Sequence, residues 1–183
     1  MTKDPYEFLR QRIQLPEPEQ DPDSRQLARS AAVRWLGLGR KPSGQVRDYL
    51  QRQGFASDLV SSVIAELKNE GKIDDLRLAQ HKAKSRTGAK SESALRLTQR
   101  LSAQGLDQAA IEQALADRPA DCELALAALQ GKFGRSMDLA TGSPEQKNKY
   151  HRFLVSRGFS SDCVREAVRE FLKGLSSQDD YAN

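Results

Sequence analysis

Val46 to Leu67 reads VRDYLQRQGFASDLVSSVIAEL, and the apolar residues around Gly54 decide the fold. The spacing predicts a helix, a glycine stop, a short turn and a second helix. Leu50 lies one turn before Gly54, and glycine can end the first helix because it tolerates a left-handed backbone. Phe55 then packs back. Ser57 or Asp58 is placed to cap the next helix, whose apolar face is Val60, Val63, Ile64 and Leu67. The unit recurs around Gly105 (Leu101, Leu106, Ile111, Ala114, Leu115) and around Gly158 (Leu154, Phe159, Val164, Ala167, Val168). Counted from each glycine, apolar residues fall at −4, +1, +6, +9 and +10, and the glycines are 51 and 53 residues apart. A repeat of that period is the mark of one supersecondary unit stacked on its neighbours.

Each helix pair has a further helix ahead of it. Arg25 to Leu36 carries Leu27, Ala31, Ala32, Trp35 and Leu36 at helical spacing, with Trp35, the single tryptophan, as a core anchor. Gly37, Gly39 and Pro42 end it, and Ser43 is expected to cap the helix that follows. Asp74 or Asp75 is expected to cap a helix from about Leu76 to Arg86, and Asp121 one that runs to about Phe133. The remaining helices are predicted at about Glu92–Ala103, Gln108–Ala116, Pro144 to Gly158 and Asp162–Leu172, with a loop over Gly134–Ser143. No segment alternates strictly enough for a strand. The expectation is an all-α chain of nine helices: three tandem three-helix repeats over 25–70, 74–116 and 120–173, forming an elongated, curved molecule. Residues 1–24 read as an acidic, proline-rich flexible tail, and 174–183 as a frayed one.

The 183 residues are 38% apolar and 30% charged, which suits several thin cores better than one thick one. No stretch approaches the roughly 20 apolar residues of a membrane span, and the N-terminus lacks the apolar segment of a signal peptide, so a cytoplasmic monomer is expected. Cys122 and Cys163 lie far apart with no CxxC or metal-ligand spacing, and are read as reduced thiols packed as small apolar groups. Net charge is +4, but residues 1–24 contribute −3 and the remainder +7. A basic body favours a polyanionic partner.

Chemistry of other kinds is missing from the pattern. GLGRKPSG does not match a phosphate loop. Asp74 and Asp75 are adjacent and would point about 100° apart on a helix, the wrong arrangement for paired acid–base work. His81 and His151 are isolated, so no metal site is expected, and no nucleophile or cofactor motif is present. What remains is a basic segment. From Lys72 to Arg100 there are eight Lys and Arg against Asp74, Asp75 and Glu92, the strongest local charge bias in the chain. Arg77, Lys82, Lys84, Arg86, Lys90, Arg96 and Arg100 are the candidate binding residues, grouped on the outward faces of two consecutive helices. Acids are scarce there, so pairing along the helix cannot neutralise them. Such a face can meet phosphates or an acidic protein. The run has no aromatic–basic alternation, which argues against reading of bases.

The order YLQRQGF, GKIDDLRLAQ, LSAQGLDQAAIEQAL, RFLVSRGF resembles the RecX family of bacterial recombination regulators over roughly residues 27–172. Asp75, Arg77 and Ala79 match the family's DD-x-R-[FL]-A pattern, and Phe153–Phe159 is the other specific piece. The resemblance implies three tandem three-helix repeats. It also implies a non-enzymatic regulator that lies along the RecA filament on single-stranded DNA. Such a regulator inhibits the filament's extension, ATPase and strand exchange in recombination, DNA repair and the SOS response. The chain departs from the family in places. Only Arg40 and Lys41 stand in the usually Arg-rich stretch ahead of Ser43. An aromatic is common where Leu78 stands and again near His81, and Gly-Pro is frequent where Gly88-Ala89 stands. The competing reading is a direct DNA-binding protein of helix-turn-helix type. It would need a recognition helix rich in Arg, Asn or Gln, and the helices after Gly54 and Gly158 instead carry Ser, Glu and Ala.

Overall fold

The three repeated glycines end their helices with one hydrogen-bonding pattern. The N–H of Phe55 donates to the Leu50 carbonyl at 3.2 Å and that of Gly54 to Gln51 at 2.9 Å. Leu106 to Leu101 (3.2 Å) and Gly105 to Ser102 (2.9 Å) repeat it, as do Phe159 to Leu154 (3.4 Å) and Gly158 to Val155 (2.9 Å). The glycines have φ of +90°, +84° and +82°, so each turn is a Schellman motif that needs a residue without a Cβ. Leu50, Leu101 and Leu154, four residues ahead, are all fully buried.

The computed structural model describes residues 22–134 and 143–179. Among these the chain is all-α: α1 (Pro22–Leu36), α2 (Ser43–Arg52), α3 (Ser57–Asn69), α4 (Asp75–Lys84), a single 3-10 turn (Gly88–Lys90), α5 (Ala94–Ala103), α6 (Gln108–Leu115), α7 (Asp121–Phe133), α8 (Pro144–Ser156) and α9 (Ser161–Asp179). Three apolar clusters follow the chain in order. The first joins α1, α2 and α3 with Ile73 from the linker. The second joins α4, α5 and α6, and the third α7, α8 and α9. The middle cluster has five buried residues (Ala79, Leu97, Leu101, Leu106, Ile111), against eleven and twelve in its neighbours. By area such a core contributes the least hydrophobic stability of the three, so the middle repeat depends more on polar contacts and on its neighbours.

Several boundaries and caps differ from expectation. The first helix opens at Pro22, so Pro22–Ser24 belong to it and not to the tail, and proline suits a first turn. The rest of the expected tail, 1–21, and most of the expected loop, 135–142, lie outside the described residues. The last helix runs to Asp179, beyond the expected end at Leu172, because Leu175 packs against the third core. Ser57 and Ser43 do not cap: the N-cap positions of α3 and α2 are Ala56 and Pro42. Asp74 caps α4 by accepting from the Arg77 N–H at 2.8 Å. Trp35 is a part-buried edge of the first core, stacked on Tyr49 at 5.0 Å with the Lys41 ammonium 3.7 Å from its ring centre.

The cysteines correct a further expectation. Cys122 in the first turn of α7 and Cys163 in the first turn of α9 form a disulfide, with Cα atoms 4.5 Å apart. Sequence spacing hides this because the two helices start far apart in the chain and side by side in the bundle.

Candidate partner-binding surface

Two aspartates placed by the sequence pattern at the starts of their own helices join neighbouring repeats instead. Asp75, first residue of α4, is buried and accepts from the Ser43 N–H at 2.9 Å, and also from the Ser43 hydroxyl. Asp121, first residue of α7, accepts from the Ala94 N–H at 2.9 Å. Ser43 opens α2 and Ala94 opens α5. In both joints, then, a carboxylate from one repeat satisfies an orphan donor at a helix N-terminus of the repeat before it.

Around each joint the backbones also touch. The Gly44 N–H donates to the Gly105 carbonyl at 2.8 Å, and the Ser93 N–H to the Arg157 carbonyl at 3.1 Å. A Cβ on Gly44 would stand 2.6 Å from the Gly105 oxygen, so that approach requires glycine. Lys68 reinforces the first joint, 3.4 Å from Asp75 and 3.0 Å from Asp107, and the lysine hydrogen bond holds the Asp107 carboxyl below its ordinary pKa. The repeated turn thus serves twice: it closes a bundle and gives the preceding bundle a seat.

The joints distribute the expected binding residues unevenly. Arg77 lies beside Arg40, Lys41 and Lys72 around a shallow cleft shared with the first repeat. Lys82, Arg86 and Arg100 line a second cleft. Lys84 and Arg86 meet Arg118 in a third, of about 330 Å³, floored by Ala83, Ala114 and Leu124 between the middle and third repeats. Lys90 is exposed on the 3-10 turn. The seven therefore do not form one patch.

Glu92 explains part of this division. Its carboxylate is 5% exposed and receives Arg100, with Arg86 at 3.8 Å and Arg96 at 4.0 Å. Its carbonyl accepts from Arg118, whose own side chain is 9% exposed and lies 3.6 Å from Asp121. Burial pushes the Arg100 and Arg118 guanidinium pKa values down, against the pull of these acids. Arg100 was expected on an outward face, yet it turns inward because one buried carboxylate gathers arginines from before α5 and along it. Arg96 stays 53% exposed. Arg77, Lys82, Lys84 and Lys90 form no ion pair with a described acid.

Sequence reasoning passed over a second basic cluster, on the third repeat. The Lys132 ammonium lies 5.1 Å from the Phe153 ring centre and 5.9 Å from that of Phe133. Lys149 lies 5.5 Å from Phe133, and the Arg157 guanidinium 5.2 Å from Phe153. The two rings meet edge to face at 5.4 Å. The signal was present in α8, where Lys147, Lys149 and Arg152 accompany a single acid, Glu145. Its cations come from the end of α7, the middle of α8 and the C-cap after it, so no contiguous run marks the cluster.

Comparison with known proteins agrees with this architecture. Residues 120–168 match the RecX third three-helix domain. The chain is 33% identical to the regulatory protein RecX of Vibrio vulnificus over 138 residues, 73% of this chain and 86% of that protein. It is 29% identical to the regulatory protein RecX of Prosthecochloris aestuarii over 153 residues, 83% of this chain and 97% of that one. The crystal structure of RecX from Lactobacillus salivarius has a similar fold, with a TM-score of 0.62 and 21% identity over 81% of this chain and 97% of that one.

Proposed function

The chain belongs to the RecX family of regulatory proteins, and from that premise we propose that it binds the RecA filament on single-stranded DNA and restrains its extension, ATPase and strand exchange. RecX-family proteins are regulatory and not enzymatic. In this reading three units, over 25–70, 74–116 and 120–173, act as one row in the cytoplasm, as a monomer laid along the filament groove. The observation that carries it is the separation of charge in the middle unit. Asp74, Asp75 and Glu92 are used up in a cap, a joint and a buried ion cluster, which leaves Arg77, Lys82, Lys84 and Lys90 without acid partners among the described residues. Such cations are open to DNA phosphates or to acidic recombinase side chains. Inhibition then follows from occupying the groove and fixing neighbouring recombinase subunits in one arrangement. A helix-turn-helix reading has less support, since the exposed faces of α3 and α9 carry Asp58, Asp162 and Glu166 where bases would be read.

The direct test is the ATPase of a RecA filament on single-stranded DNA, with this protein added below one copy per recombinase. The rate should fall. The quadruple variant Arg77→Glu, Lys82→Glu, Lys84→Glu, Lys90→Glu should keep its helical circular dichroism, since three of the four are exposed and Lys82 is only part-buried, and surface substitutions shift stability by about 0.5 kcal/mol or less each; it should lose most of the inhibition. An unchanged ATPase with wild-type protein would overturn the proposal.

A further inference from the structure

We infer that the aromatic–basic face of the third repeat, built by Lys132 of α7, Lys149 and Phe153 of α8 and Arg157 after it, is a direct contact site for single-stranded nucleic acid. The surface is separate from the exposed lysines of the middle repeat. Three observations meet there. The cations are held in place by rings: each lies 5.1 to 5.9 Å from the centre of Phe133 or Phe153. A ring attracts a cation without cancelling its charge, whereas a carboxylate would neutralise it. None of the three forms an ion pair with a described acid. They are thus preorganised and still carry a full charge toward solvent.

The second observation is the ring itself. Phe153 is only partly buried, its ring perpendicular to that of Phe133, while Tyr150, three residues before it, is buried in the core. Phosphates would draw the cations off this part-exposed ring and leave its face to a base, the pairing that single strands use. An acidic peptide would use the cations and leave the ring idle, so the nucleic acid is the better fit.

The third observation is continuity. Gly158, next to Arg157, lies against α5 so closely that a Cβ there would stand 3.0 Å from the Arg96 Cβ. Arg96 is more than half exposed at the outer edge of the Glu92 cluster, 4.0 Å from that carboxylate, so a strand leaving Arg157 passes a further, partly neutralised cation across the joint.

The test uses the full chain and a fluorescein-labelled oligothymidylate, with no recombinase present, and reads anisotropy across a salt series. Wild-type protein should bind, and the triple variant Lys132→Gln, Lys149→Gln, Arg157→Gln should bind at least about tenfold more weakly. Its slope of log affinity against log salt should be shallower by about 2, as expected for three lost contacts to a single strand. Phe153→Leu keeps an apolar side chain against Phe133 and should lower affinity with little change in slope. Lys132→Arg with Lys149→Arg keeps the charges and should bind as wild type does, which separates charge from folding. The inference is overturned if wild-type protein does not bind the oligonucleotide, or if a folded triple variant binds it with unchanged affinity and slope. It is also overturned if the triple variant loses only recombinase binding, which would assign the face to an acidic protein surface. Failure of the ATPase test above would leave these outcomes unaffected.

Discussion

The middle and third repeats hold their cations in opposite ways. In the middle repeat Arg86, Arg96 and Arg100 converge on the buried Glu92 carboxylate. In the third, Lys132, Lys149 and Arg157 rest on two phenylalanine rings. The first arrangement uses arginines to stabilise a unit with five buried apolar residues. The second unit has twelve, plus a disulfide, and needs no ionic centre. A count of Lys and Arg along the chain treats the two alike. What differs is the partner: a carboxylate turns a cation into structure, and a ring leaves it available for binding.

Removing the disulfide tests how far the third repeat stands on its own core. The bridge spans 41 residues, and the loop-entropy relation assigns about 4 kcal/mol to a closure of that length. Cys122→Ser with Cys163→Ser, or a strong reductant on the wild type, should lower stability by up to that amount. The loss should fall mainly on the third repeat, read as earlier amide exchange in α7 and α9 than in α5 and α6. Equal protection in oxidised and reduced protein would mean that the apolar core alone sets the stability of this unit.

Glu92 tests the other side. Replacing it with leucine leaves Arg100, itself 29% exposed, without its acid, and also frees Arg86 and Arg96. Breaking a fully buried pair by removing one partner costs about 3 kcal/mol or more, but the arginines left behind are 29% to 53% exposed and rehydrate, so Glu92→Leu should shift chemical denaturation by less, about 2 kcal/mol. The surviving folded protein should bind anions more tightly than wild type, because three arginines have lost their neutralising charge. A variant as stable as the parent would show that the ionic centre is not what holds the middle repeat together.

How much of this was legible follows from the range over which each signal acts. The repeated turn is local: a leucine, a glycine four residues on and an apolar residue after it make the motif within a few residues, and all three copies form it. Asp75 and Asp121 carry the sequence mark of a local cap, yet Asp75 accepts from Ser43, 32 residues earlier, and Asp121 from Ala94, 27 residues earlier. The inward turn of Arg100 toward Glu92, eight residues before it, is likewise a matter of packing, since Glu92 precedes α5 and its direction is set by the turn it sits in rather than by the helix that carries Arg100. Cys122 and Cys163, and the Phe133–Phe153 pair, depend on how α7, α8 and α9 assemble, and no period in the sequence encodes that assembly. The chain thus announces its units plainly and their joints and binding faces hardly at all.

The smallest expected effect lies where the two compared regions touch, and a pair of alanine substitutions isolates it. Gly54 and Gly158 hold the same place in the repeat, with φ of +90° and +82°. A Cβ on Gly54 would meet nothing within 4 Å, so Gly54→Ala should cost only the strain of a left-handed alanine, about 1 kcal/mol. A Cβ on Gly158 would stand 2.8 Å from the Ser93 hydroxyl and 3.0 Å from the Arg96 Cβ, inside the joint with the middle repeat. Gly158→Ala should therefore cost the same strain plus a displacement of α5, about 1 kcal/mol more, since overpacking a close contact costs at least that. The excess should vanish when Ser93 and Arg96 are both changed to glycine, because the added carbon then has room. Equal melting temperatures for the two alanine variants, each in an otherwise wild-type chain, would mean that the joint yields at Gly158 and does not hold the two basic faces in register.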